Sequence, residues 1–461
     1  MRDRRAGAAA LLFLTWSWAS LAATPLVIEH VTVLPMTTRD PGEQHNATVV
    51  IQNDRIVSIT TGDSRGPARI PKNAKRIDGA GKWLMPGLTD MHVHTPNDRM
   101  ARLFLQDPGI RDGSMQPQDI FTLYIVNGVL QILDLQSMAE TVGQRIDIES
   151  GRLIGPHMAL AAMIDGAPPQ WPVGMTRVAT TPEDGRQTVR DIAAEGYDFV
   201  KVYSKLDLET FTAIVDEARR LNMRVVGHIP GRNKGMTAKF FQPGYDLVAH
   251  AEELAQQTEP PAPDAIPGYV AMAKNNGTWL IATLTVDDRI LEELTHPERM
   301  RARPEVRLLP AILRNAWIEH NPYAARSSPG FIESLHRIIG FNQQLVRAFV
   351  AAGIPVLTGT DSIVPGVVPG FALHDELEAL VAAGMSNQQV LESTTRLASQ
   401  WLRVDADRGT LEPGKSADLL LLDADPLADV ANTRKISAVI LRGRYLSRAA
   451  LDRMLAAVTQ H

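Results

Sequence analysis

Pro86-Gly87-Leu88-Thr89-Asp90-Met91-His92-Val93-His94 decides the fold of this chain. An apolar run ends in two histidines one residue apart. Residues i and i+2 of a strand face the same side, so both imidazoles are expected to point together. Two neutral imidazoles aimed at one point make half of a divalent metal site. The other ligands should then lie at the ends of later strands.

Outward from that stretch, short apolar runs alternate with helical patterns, which implies βα units and a parallel sheet. Candidate strands are 84–94, 130–135, 153–163, 199–203, 224–229, 247–250, 278–284 and 354–361. Eight strands are what a TIM (β/α)8 barrel requires. Between them, 208–221 reads as an amphipathic helix capped by Asp207, and 331–352 as a longer helix stopped by Gly353. The fold class expected is α/β, a TIM barrel over 85–403. A small β-sandwich domain is expected from the N- and C-terminal segments 23–84 and 404–448. Its hairpin signal is Asn53-Asp54 between two apolar runs. A C-terminal helix should cover 449–461. The stretch between His250 and Asp361 is too long for two βα units. Its surplus, 287–330, reads either as a lid inserted over one barrel face or as a solvated excursion.

Hydrophobic residues make up 44% of the 461 positions and charged residues 21%, the balance of a soluble globular chain. A net charge of −5 gives no reason to expect nucleic acid or an anionic membrane as a partner. Met1-Arg2-Asp3-Arg4-Arg5, an apolar run over 6–19 and Ser20-Leu21-Ala22 together read as a signal peptide over 1–22. The mature protein is thus expected to be exported, periplasmic or secreted, with no membrane attachment after cleavage; an uncleaved anchor is the alternative. The chain has no cysteine. An exported core of this size manages without disulfides, and any metal must be held by nitrogen and oxygen.

Ligand-type residues recur where barrel chemistry belongs, at the C-terminal ends of strands. The first run ends in His92 and His94, the fourth carries Lys201, the fifth His228, the sixth His250 and the eighth Asp361. Singly, each has a bland reading: a satisfied polar residue, a cap, a turn. Lys201 is the odd one, because a buried unpaired lysine costs several kcal/mol, of order the desolvation of a charge, or shifts its pKa. Either its ammonium reaches the rim or a carboxylate, or it is held neutral and reacts with carbon dioxide to form a carbamate. Tyr203, two residues on, points the same way.

Taken jointly, His-x-His, Lys, His, His and Asp in this order resemble the amidohydrolase superfamily. Residues 86–94, Thr358-Gly359-Thr360-Asp361 and the return 409–419 look like its signatures. The branch it looks most like is the imidazolonepropionase-like one that includes Xaa-Pro dipeptidases. The resemblance implies that His92, His94 and Asp361 bind a first metal ion, and His228 and His250 a second. Carboxylated Lys201 and a hydroxide would bridge the two divalent ions, zinc by preference. Asp361 would serve as the catalytic base, and Tyr203 as a donor to the oxyanion. A mononuclear deaminase, the competing member, usually places a glutamate soon after the fifth-strand histidine; here Ile229-Pro230-Gly231 follows. The chain departs from its relatives at strand two, where Val129-Leu130-Gln131-Ile132-Leu133-Asp134 lacks an arginine they often carry.

The function expected is binuclear metal-dependent hydrolysis of an amide bond in a dipeptide or N-acyl amino acid through a metal-bridging hydroxide. Cyclic amides, esters or lactones are the alternative substrates, and a catalytically inactive exported binding protein the alternative class. The partner is a small-molecule substrate; a homo-oligomer is left open. His157 is read as a candidate for the pocket wall. His374 reads as a helix-start histidine bonded to backbone, or else a substrate contact. Glu252 and Glu253 read as supporting or surface groups rather than ligands.

Overall fold

The computed structural model describes residues 24–38, 42–62, 69–106, 109, 113–231, 235–319 and 321–458. The signal-peptide reading falls on 1–22, outside the described residues. Eight parallel strands succeed one another in space as in sequence. They are β1 (Leu88–Val93), β2 (Val129–Asp134), β3 (His157–Asp165), β4 (Phe199–Val202), β5 (Arg224–Gly227), β6 (Tyr245–Ala249), β7 (Trp279–Ile281) and β8 (Val356–Leu357). Met91 donates its backbone N–H to Thr358 O (3.0 Å) and Asp361 donates to His92 O (2.8 Å), so β8 meets β1 and the barrel closes.

Each strand sends at least one apolar side chain to a shared interior cluster. These include Met91, Leu133, Ala161, Phe199, Val226, Leu247, Ile281 and Leu357, closed at one end by Trp401 and Leu402. Burying each of the larger ones is worth roughly 1.5–3 kcal/mol. The outer helices follow from their apolar spacing. Leu208–Arg220 buries Phe211, Ile214, Val215 and Ala218, and its cap Asp207 accepts from Thr210 N at 2.7 Å. Pro329–Ala351 stops before Gly353, whose φ is +72°.

The terminal segments build a separate eight-stranded mixed sheet. Leu26–Val33, Gln44–Gln52, Arg55–Thr60, Lys75–Asp78 and Trp83–Pro86 come from the N-terminal side, and Leu419–Leu422, Ile436–Leu441 and Arg444–Ser447 from the C-terminal side. Leu26, Ile28, Val49, Ile51, Leu84, Leu419, Leu421 and Ile440 form its own apolar core. Asn53, with φ +56°, makes the turn between the second and third of these strands.

Four strands depart from the sequence reading by three residues or more, the eighth by ending at Leu357 rather than 361. The run 84–94 is two strands: Trp83–Pro86 pairs with Leu419–Leu422 in the terminal sheet, and the chain turns at Gly87 into the barrel. The third strand begins at His157 rather than 153, since Gly155-Pro156 cannot enter a central ladder. The seventh ends at Ile281 rather than 284. Thr283 adopts φ +49°, and a helix starts at Leu284 whose first amides, Leu284 N and Thr285 N, are capped by the Glu376 carboxylate at 3.1 and 2.8 Å. Among the described residues no helix is long and apolar enough to cross a membrane.

Candidate metal centre

The sequence-predicted residues converge at the C-terminal rim of the barrel. His92, His94 and Asp361 each offer one ligand atom within 4.8 Å of the others. Asp361 Oδ1 lies 2.7 Å from His94 Nε2 and 3.2 Å from His92 Nε2. Lys201 Nζ is 3.3 Å from His92 Nε2. The His250 ring stands 4.4 Å from that of His92 and 5.0 Å from that of His228, centroid to centroid. Tyr203 stacks on His228 at 4.0 Å, and its phenol oxygen accepts from Trp171 Nε1 at 2.8 Å.

Strand alternation explains part of this. Phe199 fills the interior, so Lys201 points the same way one layer higher; Val226 does the same for His228. The other candidate ligands need the backbone to bend. His250 (φ +79°) and Asp361 (φ +55°) leave strand ends in the left-handed region, which costs a non-glycine residue of order 1–3 kcal/mol. Asp361 is held there by its backbone bond to His92 O, and Asp90 binds Thr360 through both N–H (3.0 Å) and hydroxyl (2.7 Å). Gly359 is obligatory between them: a Cβ there would lie 2.9 Å from His92 Cβ and 2.5 Å from Ile281 Cγ2. Asp90 also accepts from His92 N at 3.2 Å, so one buried carboxylate ties the two motifs together.

The electrostatics suit a cation. Burial, reinforced by the Lys201 charge, holds His92 well below the usual imidazole range, and burial brings His250 down to about 3. Both are neutral with lone pairs available. Burial raises the Asp361 carboxyl, but His250, His94 and Lys201 outweigh it and bring the group down to about 2. Burial lowers the Lys201 amine to about 8. His92 Nδ1 and His94 Nδ1 are buried without a hydrogen-bond partner among the described residues, while the Nε2 atoms of both rings face Asp361 Oδ1. Nitrogen and oxygen donors converging without protons to share fit a divalent ion.

The sequence profile of the amidohydrolase family matches residues 152–446. The chain belongs to the amidohydrolase family. Imidazolonepropionase of Aromatoleum aromaticum is 24% identical to this amidohydrolase over 428 residues, covering 89% of this chain and 93% of its own. A solved Xaa-Pro dipeptidase with methionine bound in its active site superposes with TM-score 0.66 at 20% identity, covering 92% of this chain and 100% of that one. Bottromycin amidohydrolase superposes with TM-score 0.70 at 19% identity, over 94% and 90%. The amidohydrolase is thus a hydrolase with the barrel and terminal sheet of its structural neighbours.

Behind the rim lie Glu253, read from the sequence as a supporting or surface group, and Thr283, which spacing did not single out. Glu253 is fully buried; its Oε1 sits 2.9 Å from His228 Nδ1 and its Oε2 accepts from Ile229 N at 3.0 Å. Thr283 Oγ1 lies 2.9 Å from His250 Nδ1. A carboxylate on the far nitrogen fixes tautomer and ring orientation of a ligating histidine. Glu253→Gln is expected to lower metal affinity at His228 about 10–100-fold, measured by chelator competition. The fold should survive, since the amide oxygen still accepts from Ile229 N; unchanged affinity would remove the orienting role.

Two further candidate histidines, His157 and His374, sit elsewhere. His157 opens β3 at the opposite end of the barrel, where its Nε2 meets Asp418 Oδ2 of the terminal sheet at 3.0 Å; it does not line the metal-side cavity. The error came from placing it inside the strand rather than at its start. His374 lies in the helix Phe371–Ala382, bonded to Thr433 Oγ1 (2.8 Å) and to the backbone oxygen of Asn127 (3.1 Å). Burial lowers it from 6.5 to about 3. The unfolded chain therefore binds a proton that the folded one refuses. Stability from this site is full above pH 6.5 and is lost as pH falls toward 3, by a few kcal/mol at most. His374→Gln should flatten that limb of urea-unfolding midpoints against pH; an unaltered slope would contradict it.

Above the rim is a cavity of about 300 Å³ lined by His94, Lys201, Tyr203, His228, His250 and Asp361 on one side. Leu313, Ala316, Trp317, Pro322, Tyr323 and Arg326 line it too, all from 287–330. That stretch folds as short helices, Pro297–Ala302 and Ala311–Glu319 among them, and so contributes wall to the site.

Proposed function

We propose that this amidohydrolase hydrolyses the amide bond of a dipeptide or N-acyl amino acid at two divalent cations, zinc by preference. The observation that carries the reading is the buried Lys201 amine among His92, His228, His250 and Asp361. His92, His94 and Asp361 would hold one ion, and His228 and His250 the other. Lys201, neutral over an accessible range, attacks carbon dioxide; an N–C bond forms and one proton leaves to solvent. The carbamate carries two oxygens and one negative charge, enough to serve both ions. Bound cations at such a site acidify water and polarise a carbonyl.

The chain's own groups supply the rest. Asp361 takes the proton from the attacking water as the new C–O bond forms. It returns the proton to the leaving nitrogen as the C–N bond breaks. Trp171 holds the Tyr203 phenol over the cavity floor, where its O–H donates to the developing oxyanion. The stretch 287–330 acts as a lid that limits water around the scissile bond. Export by the N-terminal segment would place the reaction outside the cytoplasm.

Similarity to imidazolonepropionase favours cyclic amides as the second substrate class. The test is metal analysis of purified protein, followed by a screen of the zinc-loaded enzyme against dipeptides, N-acyl amino acids, cyclic amides and lactones. Two ions per chain and amide turnover are expected. A metal-free protein without turnover would instead be a binding protein.

A further inference from the structure

Beyond its polar floor, the cavity wall is dominated by apolar side chains, with Met100, Phe104, Met115, Trp171 and Trp317 the largest. Among the described residues the lining contains, apart from Lys201, one lysine or arginine, Arg326, which is solvent-exposed at the cavity edge on the short helix Ala324–Arg326 of the insertion. No carboxylate among the described residues pairs with Arg326. By contrast, Arg289 and Arg303 of the same insertion form ion pairs with Glu292 and Asp375. The Tyr323 phenol, pushed up by burial and then by Asp361, is eased in the other direction by Arg326. Tyr323, Arg326 and Asp361 line the same cavity.

An anionic substrate group entering an apolar cavity loses its hydration and needs a fixed cation in return. A guanidinium suits a carboxylate best, since its planar fork donates two parallel hydrogen bonds. The floor cannot serve, because a carboxylate bound there would occupy the place of the scissile amide. We propose that Arg326 anchors the substrate's free α-carboxylate, making this an enzyme for N-acyl amino acids or dipeptides whose leaving residue is bulky and apolar. The Phe104, Trp171 and Trp317 wall receives that side chain, while the amide carbonyl faces Asp361. This assignment rests on the amide-hydrolysis reading above and adds to it which end of the substrate is recognised, and by what.

The test compares wild type, Arg326→Ala and Arg326→Lys, all zinc-loaded. Calorimetry measures binding of phenylalanine, phenylalaninamide and glycine; acetate release measures turnover of N-acetylphenylalanine. Arg326→Ala should weaken phenylalanine about 10–100-fold, the worth of a charge-assisted pair, and leave phenylalaninamide within twofold. Arg326→Lys should recover part of the loss. Wild type should prefer phenylalanine to glycine by at least about tenfold, as expected for burial of a large side chain. N-acetylphenylalanine should lose kcat/KM mainly through KM. Equal losses for the acid and the amide, or none for either, overturn the anchor. Turnover that ignores Arg326 sinks this proposal and leaves the hydrolase reading intact. Arg326-dependent binding of phenylalanine without any turnover supports the anchor and sinks the hydrolase reading instead.

Discussion

Lys201→Ala is expected to lower kcat/KM by at least about 10³-fold, with partial recovery when a short carboxylic acid is added. The side chain is 1% exposed and sits beside His92 at 3.3 Å. An ammonium at that place would repel two bound cations, so only its neutral or carbamylated form is compatible with them. Burial already favours loss of the charge, bringing the amine to about 8. Alanine removes the nitrogen and leaves a gap of roughly the right size for acetate or propionate. The folded state should persist, because one desolvated charge and its packing disappear together. A second readout does not depend on turnover. Wild type equilibrated with 13C-bicarbonate and zinc should show a carbamate resonance that the variant lacks. Wild-type-like activity in the variant, or a wild type without that resonance, would end the bridging role.

Asp361→Asn should cost about 10³-fold or more in kcat, comparable to removing a proton-transfer group, with KM changed far less. The substitution isolates chemistry from folding for a conformational reason. Position 361 is left-handed, φ +55°, and asparagine is among the few residues that accept that region readily. The backbone bond from 361 N to His92 O is unaffected. What changes is charge and basicity: the carboxylate held near 2 becomes an amide that takes no proton. One ion should also be held less tightly, and metal analysis separates this from the lost base. If Asp361→Asn binds two ions and turns over normally, the proton must travel by another group.

The motif residues were legible in the sequence to different degrees. Lys201, Tyr203 and His228 follow from strict alternation above Phe199 and Val226, a rule that needs only a strand and a buried face. His92 and His94 read as a pair because of their spacing, although the pairing of β1 with β2 shifts register between Asp90 and Val93. His250 did not follow from alternation, and Asp361, although it shares the parity of Leu357, lies beyond the end of its strand. Ala249 and Leu357 hold the inward positions, and a left-handed bend then redirects the next turn of chain toward the floor. Thr283, capped helix and all, ended β7 early for the same kind of reason: a contact with Glu376, 91 to 92 positions away, outweighed local strand preference.

By itself the sequence determined the barrel, the terminal sheet and the residue types available for a cation. These depend on period, composition and local turn chemistry, which neighbouring residues set. Tertiary structure alone decided that Glu253 backs His228 and that His157 belongs to the terminal sheet's side of the barrel. It also decided that residues of 287–330, Trp317, Tyr323 and Arg326 among them, reach over the site. Those are contacts between groups far apart along the chain. No window of sequence contains both partners, and only closure of the barrel brings them within bonding distance.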